Sequence, residues 1–214
     1  MDEEVTIIDN NTRNEKIKNF FSNNKNSIFI IILIIVVFLV GYFGYEEIKE
    51  RSKIKIANQF NTAVIELNES NKKKVAKELT DIIYTQDSTY SPLALYFLID
   101  NNLIRNKDKI NSLFDVLINE TNLKKEIKYL IIYKKALYNS DFLEENDLIK
   151  LLNPIINSES IWQSHSLYLI GEYFFSKKEY QKSKEFFNRA MSSLNATPEI
   201  KLKAKQRLDR DFGE

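Results

Sequence analysis

"SHSLYLIGEYFFSKKEYQKSKEFFNRAMSSLNAT", from Ser164 to Thr197, decides how the chain is read. Its apolar residues recur at three and four, which is the spacing of two amphipathic helices. Small residues stand where two helices would cross: Gly171 and Ser183 let backbones approach, while Phe174 and Phe187 fill the space beside the contact. These residues therefore read as packing and not as chemistry. The stretch predicts a helical hairpin.

Counted from Ser164, the stretch resembles the tetratricopeptide repeat, a two-helix unit of about 34 residues. That pattern expects large, small and aromatic residues at fixed positions, and the chain supplies Leu167, Ile170, Gly171, Phe174, Ser183, Phe187 and Ala190 there. It departs from the pattern twice. Leu167 stands for the usual Trp, and the proline expected at Asn195 comes late, as Pro198.

Upstream, "YSPLALYFLIDNNLIRNKDKINSLFDVLI" and "IKYLIIYKKALYNSDFLEENDLIKLLNPI" keep the hairpin rhythm but lack the glycine and most small positions. One good repeat, residues 164–197, and two or three weaker ones are expected, with a generic helical bundle as the alternative. Ser91, Asn122 and Thr197 are candidate caps at the breaks. The helix from Pro198 to Arg210 puts Ile200, Ala204 and Leu208 on one face and many bases on the other, as the end of a solenoid does. Beyond residue 45 only Gly171 and Gly213, and Pro92, Pro154 and Pro198, supply turn residues, too few for a β-rich chain of this size. The fold class is all-α.

Ile28 to Tyr45 carries no charge over 18 residues. As a helix it spans about 27 Å, close to the hydrocarbon thickness of a bilayer. A removable signal has a short basic head and a small-x-small cleavage site. This head is 26 residues long, contains Asp2, Glu3, Glu4, Asp9 and Glu15, and is followed by no such site. An uncleaved anchor is the reading, with a helix buried on all sides as its alternative. The expected division is a tail over 1–26, an anchor over 27–46, whose residues 28–45 meet lipid, and a helical domain over 47–214 into which the anchor helix runs. Ile17, Phe20 and Phe21 share a helical face, so the tail is either interfacial there or a polar, disordered segment.

Orientation is poorly encoded. Arg13, Lys16, Lys18 and Lys25 on one side balance Lys49, Arg51, Lys53 and Lys55 on the other. Lys25 at one end against Glu46 and Glu47 at the other favours the head inside and the domain outside.

The whole arrangement resembles the YfgM-like family, the bacterial ancillary subunit of the Sec translocon. The resemblance rests on an acidic head, one N-terminal span, a helix running out of it, weak hairpins, and Trp162 followed by "GEYFFSKKEYQKSKEFFNRAM". It implies an inner-membrane protein with a cytoplasmic N-terminus and a periplasmic domain. It also implies association with the SecYEG channel and periplasmic chaperones, and no catalytic residues. A membrane-anchored receptor or assembly scaffold with its domain in a cytosol is the alternative.

Chemistry is sparse in the sequence. Lys plus Arg (31) nearly cancel Asp plus Glu (30), so no broad field exists to collect nucleic acid. No Cys is present, which removes thiol catalysis and thiolate metal sites, and His165 is the one imidazole. It sits between Ser164 and Ser166, neighbours that diverge on a helix, and reads as an exposed polar residue. Glu144, Glu145 and Asp147 read as a solvated helix start, and Lys72, Lys73 and Lys74 as solvated bases or a lipid contact. No enzyme activity, metal, cofactor or small-molecule substrate is expected. In repeats of the resembling kind the groove is lined from the first helix, here by His165, Tyr168, Glu172 and Phe175. Tyr168 and Phe175 equally suit packing on the next hairpin, and Tyr168 with Glu172 cannot form a positive clamp for a carboxylate tail.

Overall fold

The computed structural model describes residue 13 and residues 15–213. Residues 1–12 and 14 of the expected tail lie outside the described residues. Every regular element among the described residues is a helix. The chain divides between Lys55 and Ile56 into two units.

In the first unit, residues 15–23 form α1 and a turn at Asn24 leads into α2 (Lys25–Ile65), which continues past the division. Asn24 hardly interrupts the ladder, because its N–H donates to Phe20 O at 3.0 Å and its carbonyl accepts from Ile28 N at 2.9 Å. The most apolar window of α2 has mean hydropathy 2.9 and none of it is buried. By length and composition this helix is able to cross a membrane. Ile17, Phe20 and Phe21 are exposed as well.

The second unit holds the last turns of α2 and eight further helices: α3 (Lys72–Tyr84), α4 (Tyr90–Asp100), α5 (Lys107–Asn119), α6 (Lys125–Asn139), α7 (Glu145–Ile156), α8 (Gln163–Ser176), α9 (Tyr180–Ser192) and α10 (Pro198–Phe212). From α3 to α10 each helix packs on the next across a short connection, a tetratricopeptide-like array. Two apolar clusters fill it. One gathers Ala63, Leu79, Leu95, Phe114 and Ile131, the other Ile132, Leu152, Ile170, Phe174, Phe187 and Leu208. Adjacent residues of α6, Ile131 and Ile132, thus serve different cores, and α6 is the wall between them.

The α8–α9 hairpin is the tightest. Ser183 Oγ donates to Gly171 O at 2.9 Å, with Phe174 and Phe187 buried on either side of that contact. Each such ring contributes about 1.5–3 kcal/mol by leaving water. Leu167, Ile170 and Ala190 are buried in the same cluster.

Turns and caps depart from the expected chemistry. Asn102 and Lys178 adopt positive φ (50° and 63°). Both close Schellman-type ends, with Leu103 N donating to Leu98 O at 3.0 Å and Glu179 N to Phe174 O at 2.9 Å. Ser91 is not a cap: α4 starts one residue earlier, Asp87 Oδ1 accepts from Thr89 N and Tyr90 N, and buried Ser91 donates to Ile82 O at 2.9 Å, tying α4 to α3. Nor is Asn122, since α6 begins at Lys125 behind Lys124. Thr197 does cap α10, its hydroxyl accepting from Ile200 N at 3.3 Å. Glu144 and Glu145 do start α7, and Glu145 pairs with Lys182 at 2.9 Å.

Candidate interaction surface

His165, Tyr168, Glu172 and Phe175 share one side of α8, and the structure brings Glu172 and Phe175 against α10. Arg207 reaches back from α10 so that its Nε stands 2.8 Å from Glu172 Oε1, and its Nη2 donates to Oε2 at 3.0 Å. The guanidinium lies 4.0 Å from the centroid of the Phe175 ring, a cation–π contact, and its Nη1 bonds Asp211 Oδ2 at 2.6 Å. Phe212 stands 6.3 Å from both Phe175 and Phe187. Tyr168 packs 5.3 Å from Phe187, and burial, then the Glu172 carboxylate, raise its phenol above the ordinary tyrosine range. Packing on the next helix thus accounts for Tyr168 and Phe175, and any occupant of this side of α8 has to share it with α10.

His165 is half-buried, not exposed. Its ring lies 5.2 Å from Trp162 and 6.0 Å from Tyr133, and those two rings stack at 6.0 Å. Burial outweighs the other influences and lowers its pKa below the ordinary histidine value, favouring the neutral ring. Glu199 and Lys203 of α10, themselves paired at 2.6 Å, act on it in opposite directions. No group of three or more metal-ligating side chains occurs among the described residues.

The sequence reading placed no binding site between α4 and α6, yet a cleft of about 710 Å³ lies there. Pro92, Leu93 and Tyr96 form one wall and Ile127 and Leu130 the other, with Lys124 at the start of α6. Leu93 and Ile127 are exposed. The Tyr96 hydroxyl is buried without a protein partner, and burial pushes its pKa up to about 12. The signal was present in "YSPLALYFLID": α4 has one charged residue, Asp100, so a helix apolar on all sides must leave some of that surface outward.

Compared with protein families, residues 18–109 match the tetratricopeptide repeat-like domain. The match takes in α2, α3 and α4, not the hairpin at 164–197 that carries the pattern most clearly. Domains of this kind are typically non-catalytic modules for protein–protein interaction. Comparisons with curated proteins and with solved structures gave no significant match.

Proposed function

We propose that the protein is a membrane-anchored, non-enzymatic adaptor whose tetratricopeptide-like domain docks protein partners at the Sec export channel. One observation carries the anchor: the apolar window of α2 is wholly exposed, whereas the helical hairpins bury cores of their own. Leaving each large apolar side chain in water forgoes about 1.5–3 kcal/mol, so a lipid environment is the natural cover for this segment. The family match over 18–109 supports protein partners in general. The finer assignment, an inner-membrane protein with its domain in the periplasm beside SecYEG and periplasmic chaperones, draws on the order of elements and its resemblance to the YfgM-like family. The expected division at 1–26, 27–46 and 47–214 belongs to this proposal.

Single-cysteine labelling tests it, because the native chain has no Cys. Ser192, exposed at the end of α9, is the reporter for the domain and Ser22 for the head; Ser193 is unsuitable, being buried and bonded to Gln163. Membrane-impermeant maleimide is expected to label Ser192→Cys from the periplasm, with Ser22→Cys protected. The reverse pattern would select the cytosol-facing scaffold, and copurification without any SecYEG subunit would remove the Sec role.

A further inference from the structure

We propose that the cleft between α4 and α6 takes an acidic amphipathic segment of a partner protein, its apolar side chains seated on Leu93 and Ile127 and its carboxylates facing Lys124 and Lys134. This rests on the protein-binding part of the function proposed above and not on the compartment or the channel.

The apolar half follows from the lining. Pro92, Leu93 and Tyr96 recur on α4 at three and four, as Ile127 and Leu130 do on α6, so two apolar stripes face across an open space of about 710 Å³. That volume accommodates several side chains of an inserted segment, as helix-in-groove recognition requires.

The charge half follows from what brackets it. Lys124 lines the cleft at the start of α6, three residues before Ile127. Lys134 comes four residues after Leu130 on the same side of α6, with its Nζ 5.8 Å from the centre of the Tyr96 ring. Both are exposed, and neither makes an ion pair among the described residues. Lys135, by contrast, is taken by Asp115 at 2.6 Å. No carboxylate lines the cleft; Glu126, the one acid on α6, accepts from Ser160 at 2.6 Å instead. The start of α6 has no side-chain cap, so its free N–H groups add the same sign. A buried Tyr96 hydroxyl without a partner offers a donor to an incoming carboxylate or carbonyl oxygen.

The test uses the full chain in nanodiscs and two short fluorescent peptides with the same Leu and Phe positions, one spaced by Asp and Glu, the other by Lys. Fluorescence anisotropy is expected to show saturable binding of the acidic peptide only. In the Lys124→Glu/Lys134→Glu double variant its affinity should fall by about tenfold or more, and the lysine peptide should now bind, which also shows that the variant is folded. Leu93→Asp should remove both. Equal binding of the two peptides, or no effect of the double variant, overturns the proposal. So does a photo-crosslinker at Leu93 that captures phospholipid from anionic nanodiscs in preference to the acidic peptide. Labelling that puts Ser192→Cys in the cytosol would remove the periplasmic assignment and leave the cleft standing.

Discussion

The ring of Phe187 occupies the place of a side chain at Gly171: a Cβ built there would lie 2.7 Å from both Cδ1 and Cε1 of that ring. Real Cβ contacts are never so close, and Phe187 is fully buried, so the ring has little room to swing aside. Helix α8 and helix α9 meet where one supplies no side chain and the other a large one. Gly171→Ala is therefore expected to destabilise the domain by about 1–3 kcal/mol, the usual cost of overpacking. Urea unfolding followed by circular dichroism reads this directly. Combining Gly171→Ala with Phe187→Leu should cost less than the sum of the two single changes, because the smaller side chain removes the ring atoms that the new Cβ meets and the Cβ fills part of the space it leaves.

Arg207 links Glu172, Asp211 and the Phe175 ring, and it is only 13% exposed. Arg207→Met keeps much of the aliphatic stem and removes the charge, leaving Glu172 without its partner. A double-mutant cycle with Glu172→Gln is expected to give a coupling of about 1 kcal/mol, moderate because Glu172 remains 37% exposed. A vanishing coupling would mean that α10 is held by its apolar face alone, through Ile200, Ala204 and Leu208.

His165 makes stability depend on pH in a defined direction. Its folded pKa is lowered by burial, so between the two pKa values the unfolded chain binds the extra proton, and unfolding gains as pH falls. The contribution is complete above about pH 6.5, the ordinary histidine value, and is lost as pH drops towards the folded pKa. Melting temperatures of wild type and His165→Gln, measured across that window, should converge on the acid side. A parallel pair of curves would show that the ring is solvated.

The contact within the α8–α9 hairpin was legible because it is local in sequence: Gly171, Ser183, Phe174 and Phe187 lie within one pair of adjacent helices, and helical spacing alone brings them together. Capping was less legible. Ser91-Pro92 looks like a helix start, but α4 starts at Tyr90 with Asp87 Oδ1 accepting from Thr89 N and Tyr90 N, and the Ser91 hydroxyl answers a carbonyl on α3 that no local pattern reveals. Asn102 and Lys178 hide their turns, since the positions that usually carry glycine carry other residues here. The environment of His165 and the cleft beside Tyr96 depend on helices far apart in sequence, α6 with α8 and α4 with α6. Neither could be read from its own segment.

Ser91→Ala tests that tertiary tie. The change leaves the α4 ladder intact and removes the donor to Ile82 O, a buried contact expected to contribute about 1 kcal/mol. Ser91→Thr, which restores a hydroxyl but adds a methyl group at a fully buried position, should not recover the loss.

The apolar window of α2 is uncharged where charge would be most expensive. Val36 and Val37 lie at its middle, both exposed, so nothing in the protein would shelter an ion placed there. In the lipid reading, a Lys at the centre of a span costs about 2.5–3.5 kcal/mol on insertion scales, and two neighbouring ones exceed what snorkelling of long side chains recovers. Val36→Lys/Val37→Lys is therefore expected to shift the chain from the carbonate-resistant membrane fraction to the soluble one or to degradation. The control is the single change Ile54→Lys between Lys53 and Lys55, which joins charges already present and should change nothing. If the central lysines leave membrane association unaltered, the anchor lies outside this window, and the exposed apolar face of α2 is covered by protein instead.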